Sequence, residues 1–301
     1  MSDSSNSNNA SDEINLSDLF LILWNKKFTI IIICAFFATA SVYYALSLPN
    51  IYKADSLLKV GGEQKTSSSQ GTMGIIGAVT GFSKSELANQ ANEVRVTVRA
   101  RDFTKHLLDT TDILPNLMAV ESYDPVNKVI NYNENLYDNE NKKWIGPTPA
   151  FHDIHKKVIS TITFEVDPDS YLISMGAKHQ SPEYAAYFLD LVITEVNAKE
   201  SRRAIINADE ALVYLEKELA VTKIQDIRNS INALIQAQLE TKMLAKVRKD
   251  YKMRVIDSVY IPERKFAPAR AIICITGTMI GLIFAIMLIL TRKFYFTEDN
   301  N

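Results

Sequence analysis

The sequence predicts an α+β domain that carries a long α-helical hairpin and is flanked by two transmembrane helices. Three observations predict it. Two charge-free apolar runs, Phe28–Leu48 and Ala271–Leu290, lie near the two ends of the 301-residue chain. Between them, STITFEV at 160–166 alternates as a half-buried strand does. The stretch between Pro182 and Pro262 holds neither glycine nor proline, which leaves room for long uninterrupted helices.

Each apolar run is long enough to cross a bilayer, which takes about 20 residues. Ala45-Leu46-Ser47 has the small residues of a signal cleavage site. A signal core is only about 7–15 residues long, however, so the first run reads as a retained helix. The second run is followed by Arg292 and Lys293, as a membrane helix rather than a buried core helix would be. Lys26 and Lys27 before the first span, and Arg292 and Lys293 after the second, place both termini in the cytoplasm. Lys53, Arg264, Lys265 and Arg270 flank the opposite side, but a middle segment of about 220 residues crosses largely regardless of charge. Cys34 and Cys274 both fall inside the spans, and the middle has no cysteine, as suits a bacterial periplasmic domain that folds without disulfides.

Composition narrows the function. A hydrophobic content of 47% excludes a disordered chain, and a formal net charge of −2 speaks against nucleic-acid binding. No GxxxxGK loop, GxSxG elbow or HExxH pair occurs. His152 and His155 could face a metal from one helix, yet beside a polar loop they read as surface residues. No catalytic, cofactor-binding or metal-ligating set emerges, so a non-enzyme is expected.

Along the chain, Met1–Asn9 is nearly all Ser and Asn and is expected to be disordered. Glu13–Lys27 has the apolar spacing of an amphipathic helix at the interface, or of an extension of the first span. Ile51–Val60 suits a strand leaving the membrane. Gly61–Phe82 is a glycine- and serine-rich loop, either partly buried or serving as a lid or oligomer contact. Ser83 and Glu86 have capping-box spacing for a helix reaching about Leu108. Tyr123–Pro149 is polar and irregular, a solvated loop or a carbohydrate-contact surface. Asp167–Ser170 turns the chain into a second strand, Tyr171–Ala177. Ser181 and Pro182 then start a helix as cap and first residue.

A single helix from Pro182 to Pro262 would be over 100 Å long at about 1.5 Å per residue, and the chain must return to the membrane. A fold-back is therefore expected at Gln225–Ser230. It separates a seam of Ile205, Ala208, Leu212, Leu215 and Leu219 from a stripe of Ile231, Ile235, Leu239, Met243, Val247 and Tyr251. These faces read as hairpin packing, with part of the surface open to copies of the same chain.

Pro262 and Pro268 stiffen the approach to the second span, Arg270 sits at its entrance, and Gly277 and Gly281 form a GxxxG that admits a close helix contact. Its partner could be the first span, a neighbour's second span or another membrane protein. Together with EINLSDLFLILWNKK before the first span, LPNIYKADSLLKV after it, HQSPEYAAYFLDLVITEVN and VIDSVYIPERKFAPAR, this resembles the polysaccharide co-polymerases, the Wzz-type chain-length determinants. Val259 stands where that family usually has its first proline, and Ala269-Arg270 where it has a lysine.

The resemblance implies an inner-membrane homo-oligomer, ring- or bell-shaped. It would set the modal length of an O-antigen-type surface polysaccharide with a Wzy-type polymerase acting on lipid-linked glycan. It also implies this organisation: a cytoplasmic tail over 1–27, a first span over 28–48, a periplasmic co-polymerase domain over 49–268, a second span over 269–290 and a cytoplasmic tail over 291–301. Within the periplasmic domain the α/β base covers about 49–200 and the extended helices about 182–256. With about ten residues after the second span, neither a kinase domain nor a sensor's output domain is expected. An inner-membrane component of capsule or exopolysaccharide export is the alternative.

Overall fold

The computed structural model describes residues 24–60 and 84–297. Most of the Glu13–Lys27 stretch, the Gly61–Phe82 loop and Ser83 of the capping box lie outside them. The chain forms two compact units, one of Met1–Pro49 with Ala267–Asn301 and one of Asn50–Phe266.

The first unit is a pair of apolar helices, α1 (Lys27–Ser47) and α8 (Arg270–Thr297), packed along their length. Both are long and apolar enough to cross a membrane. Thr39, Thr276, Thr278 and Thr291 donate to carbonyls three or four residues back, which satisfies these hydroxyls within their own helices.

The second unit is built on a four-stranded antiparallel sheet in the order β6-β7-β1-β8. Its strands are β1 (Tyr52–Val60), β6 (Ile162–Val166), β7 (Leu172–His179) and β8 (Met253–Asp257). Alternation puts Ala54, Ser56, Leu58 and Val60 of β1 on one face with Ile173, Met175 and Ala177 of β7, all buried. The first half of helix α6 (Pro182–Val221) lies against that face and adds Phe188, Leu189, Val192 and Val196.

Ser181 caps α6 by accepting the Tyr184 N–H at 3.1 Å, and Pro182 occupies the first turn, where no donor is needed. The turn before β7 is held by Asp167, which accepts from the Asp169 and Ser170 amides. Those donors hold its carboxyl below the usual range, with the Ser170 amide acting most strongly.

The segment 84–110 is two helices rather than one. Helix α2 (Lys84–Arg99) and helix α3 (Arg101–Thr110) part at Ala100, whose backbone is extended. Val94 and Val98 before the break and Phe103 and Leu107 after it enter one core. On a straight helix the five residues from Val98 to Phe103 would turn the side chain about 140° away, so the break keeps a common face. Helix α4 (Leu114–Met118) follows. The polar stretch, expected to be irregular, holds two small hairpins, β2 (Val120–Asp124) with β3 (Val129–Tyr132) and β4 (Tyr137–Asp138) with β5 (Lys143–Trp144). Helix α5 (Phe151–Thr161) then buries Ile154 and Val158.

Beyond the base, α6 runs out alone, and helix α7 (Gln225–Val247) returns along it. The reversal lies at Thr222–Ile224, not at Gln225–Ser230, which is helical. Thr222 and Ile224 are extended, and Arg228 reaches back to donate to the Leu219 and Thr222 carbonyls at 2.9 and 3.0 Å. The α7 seam also differs from the expected stripe. Ile231, Ile235, Gln238, Lys242 and Ala245, in steps of four and three, are buried or half-buried. Leu239, Met243 and Val247 are exposed. The extended helices end at Val247, and Met253–Asp257, expected to continue them, instead adds β8 to the edge of the sheet beside β1.

Candidate functional site

The apolar pair of α1 and α8 gathers three of the residues marked by the sequence. Gly277 and Gly281 lie on the α8 face that meets α1. A Cβ at 277 would stand 2.5 Å from Ser41 Oγ, and one at 281 would stand 2.6 Å from Phe37 Cβ. Only glycine allows this approach, in which contact between helices comes from packing rather than from expelled water. Ser41 Oγ donates to the Ile273 carbonyl at 2.9 Å, and the Phe37 and Phe284 rings lie 5.7 Å apart. Of the partners open to the GxxxG, the first span of the same chain fills this face.

Arg270 opens α8 and serves the end of α1. Its Nε donates to the Ala45 carbonyl at 3.0 Å and Nη2 to that of Leu48 at 3.4 Å. The last carbonyls of a helix lack partners within it, and a cation there also suits the helix dipole. Pro268 precedes this contact, its carbonyl accepting from the Arg270 N–H. Pro262 is buried and belongs to the other compact unit, Asn50–Phe266.

In the Asn50–Phe266 unit, the root of the hairpin is tied by a residue that sequence reasoning passed over. Asn197, buried within α6, donates to the Met253 carbonyl at 3.0 Å and accepts from the Lys252 and Met253 amides at 2.9 and 2.8 Å. It thereby holds the chain that leaves α7 and starts β8. An asparagine amid the apolar run LDLVITEVN was the available signal. Further out, Ser201 donates to the Ala245 carbonyl, and Lys242 pairs with Asp209 across the two helices.

A second tie lies where β7 enters α6. His179 Nε2 donates to the Asn116 carbonyl at 2.8 Å, and Nδ1 accepts the Ser181 N–H at 3.0 Å, which fixes the neutral tautomer. Burial pushes its pKa down to about 4. Tyr123 donates to Glu183 at 2.7 Å; burial, helped by that carboxylate, pushes the phenol up to about 12.

Other polar pairs tie helices to one another. His106 meets Glu195 at 2.7 Å with Arg202 beside them, and Thr104 meets His155 Nδ1 at 2.8 Å. His152 and His155 do not converge on a metal position, and among the described residues no His, Cys, Asp or Glu cluster is arranged to hold one. The arrangement ties and positions helices.

Against known proteins, residues 12–111 match the family model of the Wzz chain length determinant protein. That stretch runs from the N-terminal tail through α1, β1 and α2 to the end of α3. No curated protein matches the chain. Among solved structures, a full-length bacterial polysaccharide co-polymerase is 14% identical with a TM-score of 0.42, over 95% of this chain and 100% of that one. A fragment of WzzB, a polysaccharide co-polymerase from Salmonella Typhimurium, is 10% identical with a TM-score of 0.30, over 72% of this chain and 100% of that one. The chain is thus similar to the Wzz chain length determinant family over its first apolar helix, first strand and following helices, about a third of its length.

Proposed function

We propose that the protein regulates the modal chain length of an O-antigen-type surface polysaccharide without itself making or breaking bonds. In this reading it is a two-span protein of the bacterial inner membrane, with both termini cytoplasmic and the middle unit periplasmic. It works as a homo-oligomer beside a Wzy-type polymerase that extends a lipid-linked glycan. The family match over residues 12–111 carries the reading.

Other features support it. The two apolar helices at the ends of the chain suit membrane attachment. The hairpin leaves Val213, Tyr214 and Val221 of α6 and Met243 and Val247 of α7 more than half exposed. Apolar surface of that kind on a domain in water is a contact waiting for a partner, and another copy of the chain supplies it. Pro262, Pro268 and Arg270 belong, in this reading, to the link that joins the periplasmic unit to the second span. Gly277 and Gly281 hold the two spans together.

Deleting the gene and separating the surface polysaccharide on a gel tests the proposal. A regulator's loss leaves polymer present but without its preferred length. Complete loss of surface polymer would favour the export component instead, and an unchanged ladder would refute both.

A further inference from the structure

We infer that the outer face of the sheet carries a binding site for a phosphate-bearing lipid headgroup, formed by Lys53, Lys178 and Phe266. The register of β1 and β7 sets Lys53 directly opposite Lys178. Both lie on the face away from Ala54, Ala177 and the core. Their ammonium groups stand 5.6 and 5.0 Å from the centroid of the same Phe266 ring. That ring is held in place by its own backbone, since the Phe266 N–H donates to the Ile51 carbonyl at 2.8 Å. It remains 54% exposed.

The charges around this ring do not cancel. Asp55 pairs with Lys53 at 2.8 Å, and among the described residues Lys178 makes no ion pair. Two cations thus face one carboxylate, although like charges directly opposite each other across a strand pair repel. The backbone makes room for the arrangement. A Cβ on Gly176 would stand 2.6 Å from Asp55 Oδ1, 2.7 Å from Thr163 Oγ1 and 2.8 Å from Lys53 Cε, so the side chains lie down over a bare stretch of strand. An anion placed between the two ammonium groups relieves the repulsion, and lysine is a compact donor to phosphate.

Sequence position points to the source of that phosphate. Lys53 follows Leu48 by five residues, and Phe266 precedes Arg270 by four. Chain of that length reaches no further than about 20 Å even when fully extended. Arg264 and Lys265, both exposed, add positive charge immediately before the ring. Basic residues beside a half-exposed aromatic are the side chains that suit a headgroup layer. Either a bilayer glycerophospholipid or a diphosphate-linked isoprenoid offers this chemistry.

The inference rests on the membrane reading of α1 and α8 and not on chain-length control, so an unchanged polysaccharide ladder leaves it standing. The test uses the full-length protein in mild detergent, titrated with short-chain phosphatidylglycerol, short-chain isoprenyl diphosphate and, as reference, short-chain phosphatidylcholine. A basic residue at an anionic surface is worth roughly 1 kcal/mol, or about fivefold in affinity. Lys178→Gln is expected to weaken binding of the anionic lipid about fivefold, and Lys53→Gln with Lys178→Gln about 25-fold. The paired Lys→Arg variants retain it. Losses confined to phosphatidylglycerol assign the site to the bilayer, losses confined to the diphosphate assign it to a lipid-linked substrate, and losses for both assign it to phosphate in general; each supports the site. Equal affinity of wild type and Lys178→Gln for both anionic lipids overturns it, as does an equal loss for phosphatidylcholine. Lys178→Gln alone suffices if the double variant does not fold.

Discussion

The protein contains two antiparallel helix pairs, and they are held together by opposite means. In the apolar pair α1 and α8, contact is made by absence of side chain: Gly277 and Gly281 let Ser41 and Phe37 in, and one hydroxyl reaches a backbone carbonyl. In the hairpin of α6 and α7, contact is made by side chains at alternating steps of four and three, with Ala208, Leu212, Ile231 and Ala245 buried between the helices. The difference follows from the solvent each pair suits. Lipid gives no reward for hiding a leucine, so close backbone approach must supply the attraction. Water rewards the burial of apolar side chains, so a seam is enough. The same logic separates their exposed surfaces. Apolar side chains on α1 and α8 suit hydrocarbon, whereas those left outside on the hairpin call for a protein partner.

If the hairpin depends on its root, the largest effect comes from Asn197. Asn197→Leu removes the partners of two backbone amides and a carbonyl in a buried place, at about 1–3 kcal/mol each. Unfolding of the soluble unit, followed by Trp144 fluorescence in a Trp24→Phe background, should shift by several kcal/mol. A shift below about 1 kcal/mol would show that the seam alone fixes the hairpin.

His179 gives the next effect and sets the pairs apart by pH. Its folded pKa, about 4, lies below the ordinary histidine value of 6.5. The unfolded chain therefore binds a proton that the folded chain does not, between those two values. Stability of the soluble unit is full above pH 6.5 and falls as pH drops towards 4, by about 3 kcal/mol in all. His179→Gln should flatten that slope, while the α1–α8 contact, which has no such group, stays indifferent to the same change. An equal slope in the variant would assign the acid sensitivity elsewhere.

Within the apolar pair, Gly277→Leu with Gly281→Leu should insert normally, because leucine suits hydrocarbon. The overlaps at Ser41 and Phe37 should still force the helices apart, lowering a disulfide-crosslinking yield between cysteines placed on the two spans. In cells that make normal amounts of protein, the length distribution should shift or broaden. Ser41→Ala, which loses one hydrogen bond between helices, should cost only about 0.6 kcal/mol. An unchanged crosslinking yield in the glycine variant would make the GxxxG incidental.

Much of this architecture was legible because it is written in local signals. Charge-free runs marked both apolar helices, Asp167–Ser170 marked the turn, and Ser181-Pro182 marked the start of α6 within a residue. The missed boundaries are set by contacts that residue type alone does not mark. Ala100 breaks a helix with neither glycine nor proline, because Phe103 and Leu107 must rejoin the core of Val94 and Val98. The reversal at Thr222–Ile224 is held by Arg228 from the following helix. Strand β8 exists because β1 offers an edge and Asn197 holds the chain beside it. The expected α7 stripe departs from the observed one because steps of four drift away from a seam that alternates four and three. At the candidate site, GxxxG was visible as a pattern, but Ser41 and Phe37, its receivers, carry no mark in sequence.

The central claim, that exposed hairpin residues join copies of the chain so that polymer length is controlled, is tested most directly by placing charge on them. A strain lacking the gene would be complemented with Val213→Asp plus Val247→Asp, with protein level matched to wild type. The account predicts a soluble unit as stable as before, a smaller oligomer in mild detergent, and surface polysaccharide of normal total amount that has lost its preferred length. A preserved preferred length alongside a dispersed oligomer would contradict it.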